Sequence, residues 1–327
     1  MLRRNLLALS LVPVLAAGWP LASVAQPGAY PDRQMRLIVG FPAGTGPDVV
    51  ARTVGLKLAD LLKQPVVVDN RAGAGGQIGA QVVSKAAPDG YTLLLGEVGS
   101  ISIAPASYTK LSYDPARELV AVSELVRSDF ILVVPVTSPY RTVGELVAGA
   151  GTRGERVNFG TFGAGTPGHF GAEVFANQAG LRIEPVHYRA TGDAITALVA
   201  GDVQAAFVTT ALAAPQIKGG KLRALATTGA ARSPLLPEVA TMAEAGFPKV
   251  DFSAWFALFA PAGTPVAALD RLDKAAVDAM QAPEVRRVLQ EAGFTLAGTG
   301  RGETERMVKA EAARWAAVVK ATGFKAD

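Results

Sequence analysis

Met35-Arg36-Leu37-Ile38-Val39-Gly40-Phe41-Pro42-Ala43-Gly44-Thr45-Gly46-Pro47-Asp48-Val49-Val50 is an apolar, β-branched run that breaks at a Gly/Pro-rich turn and continues as an amphipathic stretch. Strand, tight turn, helix is how a βα unit of a mostly parallel sheet reads. The strand is expected over Met35 to Phe41 and the helix over about Pro47 to Lys63, where Pro47 at the start and Asp48 in the first turn both suit a helix N-terminus. Outward from this unit, Val66 to Asp69 reads as the next strand, Asn70 to Gly76 as a glycine-rich turn into a helix ending near Ala86, and Tyr91 to Gly96 as a third strand.

The pattern then restarts. Ile131 to Val136 reads as a buried strand and Thr142 to Ala148 as a helix. Val157 to Phe162 is a strand running into Gly163-Ala164-Gly165-Thr166-Pro167-Gly168 and a helix from His169 to about Ala179. Glu184 to Tyr188, Ala205 to Thr209 and Leu222 to Thr227 are further strands, with helices at Asp193 to Ala200 and Ala214 to Lys218. After a Pro/Gly-rich loop come an apolar run, Trp255 to Phe259, and two long helices, Pro265 to Met280 and Thr304 to Lys320. Those helices need a surface to cover, and the first half offers one. The chain then crosses between halves twice, near Leu125 to Val134 and near Asp251 to Phe259. The expected domains are residues 26–128 with 253–327, and residues 129–252, hinged by the two crossings around a ligand cleft.

Ahead of the fold, Arg3 and Arg4 give a positive start and Leu6 to Ala17 an apolar run shorter than the roughly 20 residues a membrane span needs. Ser23-Val24-Ala25 is a small-x-small cleavage site, so residues 1–25 are expected to be a signal peptide and the mature chain a monomer of the periplasm. The absence of cysteine excludes disulfides, thiolate metal sites, a cysteine nucleophile and a lipid-attachment cysteine. The formal net charge of +4 falls to +2 when Arg3 and Arg4 leave, and the remaining basic residues are scattered among acids, which argues against nucleic acid as a partner.

Both glycine-rich loops sit at the carboxyl end of a strand and open a helix, the edge of an open α/β sheet where helix-start amides are unpaired and partly positive. Facing one cleft, the pair can grip one anion from opposite sides, although such glycines also serve tight turns. His169 and His187 are the only histidines. His169 either donates to a ligand or is a polar group in a first helical turn, and His187, inside a strand pattern, reads as a packed core or sheet residue. Asp48 either complements the helix dipole or meets an ammonium, hydroxyl or water of the ligand. Arg71 either balances charge near the cleft or forms a surface ion pair. Trp255 and Phe256 read as hinge packing or pocket wall, and Thr191 as a cap for the helix from Asp193. No GxSxG elbow, HExxH or Walker phosphate loop is present, so no catalytic residue, metal or cofactor is expected. Gly163 to Gly168 matches GxGxxG, but Pro167 removes an amide and no acid ends a strand about 20 positions on, which argues against a dinucleotide.

Tyr30-Pro31-Asp32-Arg33, Phe41-Pro42-Ala43-Gly44, Gln64-Pro65-Val66-Val67-Val68, Asn70-Arg71-Ala72-Gly73-Ala74-Gly75-Gly76 and Ala87-Pro88-Asp89-Gly90-Tyr91-Thr92-Leu93 resemble the Bug-type receptors of tripartite tricarboxylate transporters. So do Gly219 to Ala226, Glu244-Ala245-Gly246-Phe247-Pro248 and Pro261-Ala262-Gly263-Thr264-Pro265, in collinear order along the whole mature chain. The resemblance implies a two-domain α/β periplasmic-binding-protein fold of the Venus-flytrap, type II-like kind, each domain a mostly parallel sheet flanked by helices. It implies ligand carboxylates held by loop amides and ordered water, and delivery to membrane permease subunits. Carried over by position, the site comprises Phe41, Pro42, Ala43, Gly44, Thr45, Gly46 and Asp48 in the first loop and Gly163, Ala164, Gly165, Thr166 and His169 in the second. Gly99, Ser100, Thr191, Gly192, Asp193 and Thr209 are further wall positions. The family's Gly-Gly-Gly-Thr-Asp reads Gly44-Thr45-Gly46-Pro47-Asp48 here, and its Phe-Asp-Asn reads Phe207-Val208-Thr209. Loss of that acid suits a di- or tricarboxylate or an aromatic acid over an amino acid.

The expected function is capture and delivery of a small carboxylate. The alternatives are a ligand sensor feeding the periplasmic domain of a sensor kinase, and a secreted enzyme processing a carboxylate or ester.

Overall fold

The opening βα unit forms β1 (Met35–Val39) and α1 (Gly46–Leu62). Four of the five β1 residues are buried and only Arg36 is exposed, the pattern of a strand covered on both faces. The structure is a computed structural model that describes residues 30–153, 156–188 and 191–326; the proposed signal peptide lies outside the described residues. Among them, no helix is long and apolar enough to cross a membrane.

The chain continues through β2 (Val66–Asn70), α2 (Gln77–Ser84) and β3 (Thr92–Glu97). A π-helical turn, Gly99–Ile103, then runs into α3 (Ala104–Ser107), followed by α4 (Pro115–Glu118) and β4 (Leu119–Pro135). The second half holds α5 (Val143–Arg153), β5 (Val157–Thr161), α6 (Pro167–Ala179), β6 (Ile183–His187), α7 (Thr191–Ala200), β7 (Ala205–Thr209), α8 (Thr210–Lys218) and β8 (Leu222–Thr227). The chain returns through β9 (Ser253–Pro261), α9 (Val266–Gln281), α10 (Pro283–Glu291), β10 (Thr295–Thr299) and α11 (Arg301–Thr322).

β4 is the strand on which the architecture turns. From Leu119 to Asp129 it pairs with β9, and from Phe130 its partners are β7 and β8. The first sheet therefore reads β2-β1-β3-β9-β4-β10 and the second β8-β4-β7-β5-β6. β1, β2 and β3 run in the same sense as β4, so Val39, Asn70 and Glu97 lie toward the point where β4 leaves the first sheet. β5, β6 and β7 run against β4, so Thr161, His187 and Thr209 point back at the same junction, with Thr209 opposite Phe130. Two mostly parallel sheets thus present their carboxyl edges to each other across a cleft.

The terminal helices cover the first sheet. α9 buries Leu269, Leu272 and Ala276 against α1 and β4, and α11 buries Thr304, Trp315 and Val319 against β4 and the Gly99–Ser107 segment. α11 also reaches the second half, where the Trp315 ring meets Phe170 and Phe252. Trp255 and Phe256 are buried in β9, so both serve strand packing at the crossing. α7 begins at Thr191 itself, two residues before the expected start at Asp193, so Thr191 is the first helical residue and not the cap.

Candidate ligand-binding site

The two glycine loops share one internal design. In the first, Thr45 precedes α1 and its hydroxyl donates to the Pro42 carbonyl at 2.7 Å, so no side chain caps the first amides of α1. In the second, Thr166 precedes α6 and its hydroxyl donates to the Gly163 carbonyl at 2.8 Å, while accepting weakly from the His169 amide at 3.4 Å. Three residues past each threonine, a side chain accepts the amide of the glycine just before it. Gly44 N–H donates to Asp48 Oδ2 at 2.9 Å, and Gly165 N–H donates to His169 Nδ1 at 3.1 Å. Both glycines have left-handed backbone, φ +80° at Gly44 and +76° at Gly165, a region that costs a side chain roughly 1–2 kcal/mol. With those contacts made, the amides of Gly46, Asp48 and Gly168 have no acceptor among the described residues.

Asp48 is a structural acid of the first loop. Besides Gly44, it accepts from Arg52 Nε at 2.9 Å and Asn70 Nδ2 at 3.0 Å, and Asn70 also donates to the Phe41 carbonyl. Burial opposes its ionisation, but the hydrogen bonds from Arg52, Gly44 and Asn70 outweigh burial and hold the carboxyl below its ordinary range. Arg71 is a surface residue paired with Asp69 at 2.9 Å.

His169 is buried, and accepting from Gly165 fixes its proton on Nε2. Burial, reinforced by His187, pushes its pKa down to about 4, so the imidazole is neutral at pH 7. Its ring stands 4.9 Å from Phe324, and a methyl on Gly165 would lie 3.8 Å from Ser107 and Tyr108, so the second loop touches first-half residues across the cleft.

Gly99 and Ser100 serve a neighbour that the sequence did not single out. Their amides donate to the two carboxylate oxygens of Glu97, at 2.9 and 2.7 Å, and Tyr113 donates to the Ser100 carbonyl. Glu97 is buried at the end of β3, and burial raises its pKa to about 7 despite those amide bonds. A methyl on Gly76 would stand 3.3 Å from the Phe41 ring and 3.5 Å from Glu97 Oε1, which ties Phe41, Gly76 and Glu97 into one cluster under the first loop. Thr191, Gly192 and Asp193 form the exposed first turn of α7, and Thr209 ends β7 beside Asp129, whose carbonyl accepts from Thr210.

His187 is a sheet residue, one of the two places its strand pattern allows. It is not packed core: it ends β6 as an exposed residue, with Nδ1 2.7 Å from Thr161 Oγ1 and its ring edge-on to His169 at 4.6 Å. Its position as the last residue of a half-exposed edge strand was the available signal. The loops therefore offer an anion dipoles rather than a cation, because Asp48 is paired and His169 is neutral.

The family model described as "Tripartite tricarboxylate transporter family receptor" matches residues 50–324. The chain is 34% identical over 318 residues to Protein BugT of Bordetella pertussis, spanning 97% of this chain and 98% of that one. Among solved structures, an R. palustris protein with adipate superposes with a TM-score of 0.83 at 31% identity, covering 90% of this chain and 99% of that one. MatC from Rhodopseudomonas palustris with bound malate gives 0.78 at 30% identity, over 89% of this chain and all of that one. Periplasmic binding protein BugD gives 0.80 at 28% identity, with coverages of 90% and 99%. The fold is thus the two-domain binding-protein fold.

Proposed function

The chain belongs to the tripartite tricarboxylate transporter receptor family, whose members are binding receptors and not enzymes, and from that premise we propose that it captures a small dicarboxylate between its two glycine loops and delivers it to permease subunits in the membrane. The observation that carries the reading is the matched pair of loops at opposed carboxyl edges, each leaving helix-start amides unpaired: Gly46 and Asp48 on one side, Gly168 on the other. Phe41 to Gly46 and Gly163 to Thr166 form the grip. Asp48 and His169 hold the loops in shape, and the α7 turn with Thr209 walls the cleft. The dicarboxylate class is supported by the adipate and malate in two relatives of similar fold, and by Val208-Thr209 in place of an acid.

The domains of this reading are residues 26–128 with 253–327, and 129–252, supported by the change of β4 partners at Asp129/Phe130 and the start of β9 at Ser253. One carboxylate bridging both loops stabilises the closed state alone, so binding closes the hinge and creates the surface a permease recognises. Residues 1–25 act as an export signal that leaves the mature chain in the periplasm. The test is a thermal-shift screen of ligand-stripped mature protein against di- and tricarboxylates, aromatic acids, amino acids and NAD. Ligand at about 1,000 times its dissociation constant adds roughly 4 kcal/mol. A shift with dicarboxylates is expected; a shift confined to amino acids or NAD refutes the assignment.

A further inference from the structure

His187 is the one exposed imidazole at the cleft, and dipole capture by the loops leaves it unused. It is opposite Thr161 in the parallel register of β5 and β6, so both side chains flank the start of the second glycine loop. One ring nitrogen is held, by Thr161 Oγ1 at 2.7 Å, and Nε2 has no partner among the described residues. β5 faces the ring with the buried Thr161 hydroxyl, and α6 faces it with the neutral His169; no carboxylate or cation among the described residues acts on it. Partial burial alone moves its pKa below the ordinary value.

We propose that His187 is a side-chain donor of the second half, giving its Nε2–H to a ligand carboxylate while Thr161 fixes the ring through Nδ1. This rests on the dicarboxylate-capture reading. The bonding closes for the imidazolium: Nδ1–H donates to Thr161 Oγ1, the Thr161 proton goes to the Gly163 carbonyl 3.5 Å away, and Nε2–H goes to the ligand. His169 does not supply the proton uptake, because the Gly165 amide occupies its Nδ1 and burial keeps the ring neutral. A carboxylate on His187 favours the protonated ring, so capture takes up a proton and tightens as pH falls from about 8 toward about 5.5.

The test is calorimetric titration of the mature, ligand-stripped protein with adipate and with malate at about pH 8 and about pH 5.5, for wild type and His187→Gln. Buffers of different ionisation enthalpy count the protons taken up, and thermal unfolding checks that the variant is folded. The expected result is proton uptake and tighter binding at low pH in wild type. In H187Q, binding at low pH falls by roughly tenfold or more and its pH slope is lost. Equal affinities, or weaker binding with the wild-type slope retained, overturn the proposal. Wild type that binds neither acid removes the capture reading itself, which H187Q data cannot do.

Discussion

Asp48 and His169 occupy the same place in the two halves of the molecule: each lies three residues past the threonine at its helix start, and each accepts the amide of the glycine before that threonine, at 2.9 and 3.1 Å. A carboxylate does on one side what an imidazole does on the other. Both turn a loop amide inward and leave the next ones for the cleft, and with both pKa values held below their ordinary range, both contributions are lost as pH falls.

Asp48→Asn replaces one acceptor oxygen by a donor facing Gly44, Arg52 or Asn70. Leaving such partners unsatisfied costs about 1–3 kcal/mol. Because the carboxyl is held below its ordinary 3.8, its contribution is present above that pH and lost as pH falls through the lower folded value. Urea unfolding is expected to place D48N below wild type at pH 7, with the gap narrowing under strong acid.

His169 and Glu97 are expected to give opposed stability profiles. His169, at about 4 against an ordinary 6.5, contributes stability present above pH 6.5 and lost as pH falls through about 4. Glu97, at about 7 against 4.5, contributes stability present below pH 4.5 and lost as pH rises through about 7. Each swing is on the order of 3 kcal/mol at most. The stability of wild type minus His169→Asn should therefore rise with pH, and that of wild type minus Glu97→Gln should fall, in denaturant titrations across this range.

Phe324 gives a third prediction. Its ring packs on His169 and Phe170, and the next residues are pinned to the first half through Ala326 N–H to the Ser107 carbonyl at 2.7 Å. Phe324→Ala removes a half-buried contact across the cleft and should lower stability by about 1–2 kcal/mol. It should also weaken dicarboxylate binding, since the second loop loses its backing. Calorimetric melting and a titration check both.

Gly165→Ala and Gly180→Ala separate strain from function. Both positions are left-handed, φ +76° and +65°, and both substitutions should cost about 1 kcal/mol of stability. Gly180 ends α6 away from the loop, so only Gly165→Ala should reduce ligand affinity in paired titrations.

Much of this was legible in the sequence, because apolar β-branched runs bounded by glycine and proline mark buried parallel strands: β7 and β8 begin and end where the pattern says. The first half of β4 was not. Ser123, Glu124, Arg127 and Ser128 break the apolar run, yet Glu124 is buried against Arg127 at 2.6 Å and Ser123 donates to the Thr299 carbonyl, pairings no local pattern encodes. α10 was missed for a related reason, since only Val285 and Leu289 of its nine residues are buried. At the site, loop glycines announce themselves through turn chemistry. Glu97 does not, because its role depends on the chain doubling back to offer it the Gly99 and Ser100 amides.

β9 sits between β3 and β4, pairing Leu94 with Phe259 and Asp129 with Ser253. The first sheet is therefore left with a gap until the whole of β5 to β8 has followed β4. A chain emerging from its N-terminus has β1, β2 and β3 early, but the strand that joins them to β4 arrives only after β5 to β8. The second sheet, whose strands β4 to β8 are consecutive, closes shorter loops and has the kinetic advantage. Connectivity thus favours early closure of the second sheet, while the first keeps an open strand edge, the feature that invites mispairing, until β9 arrives.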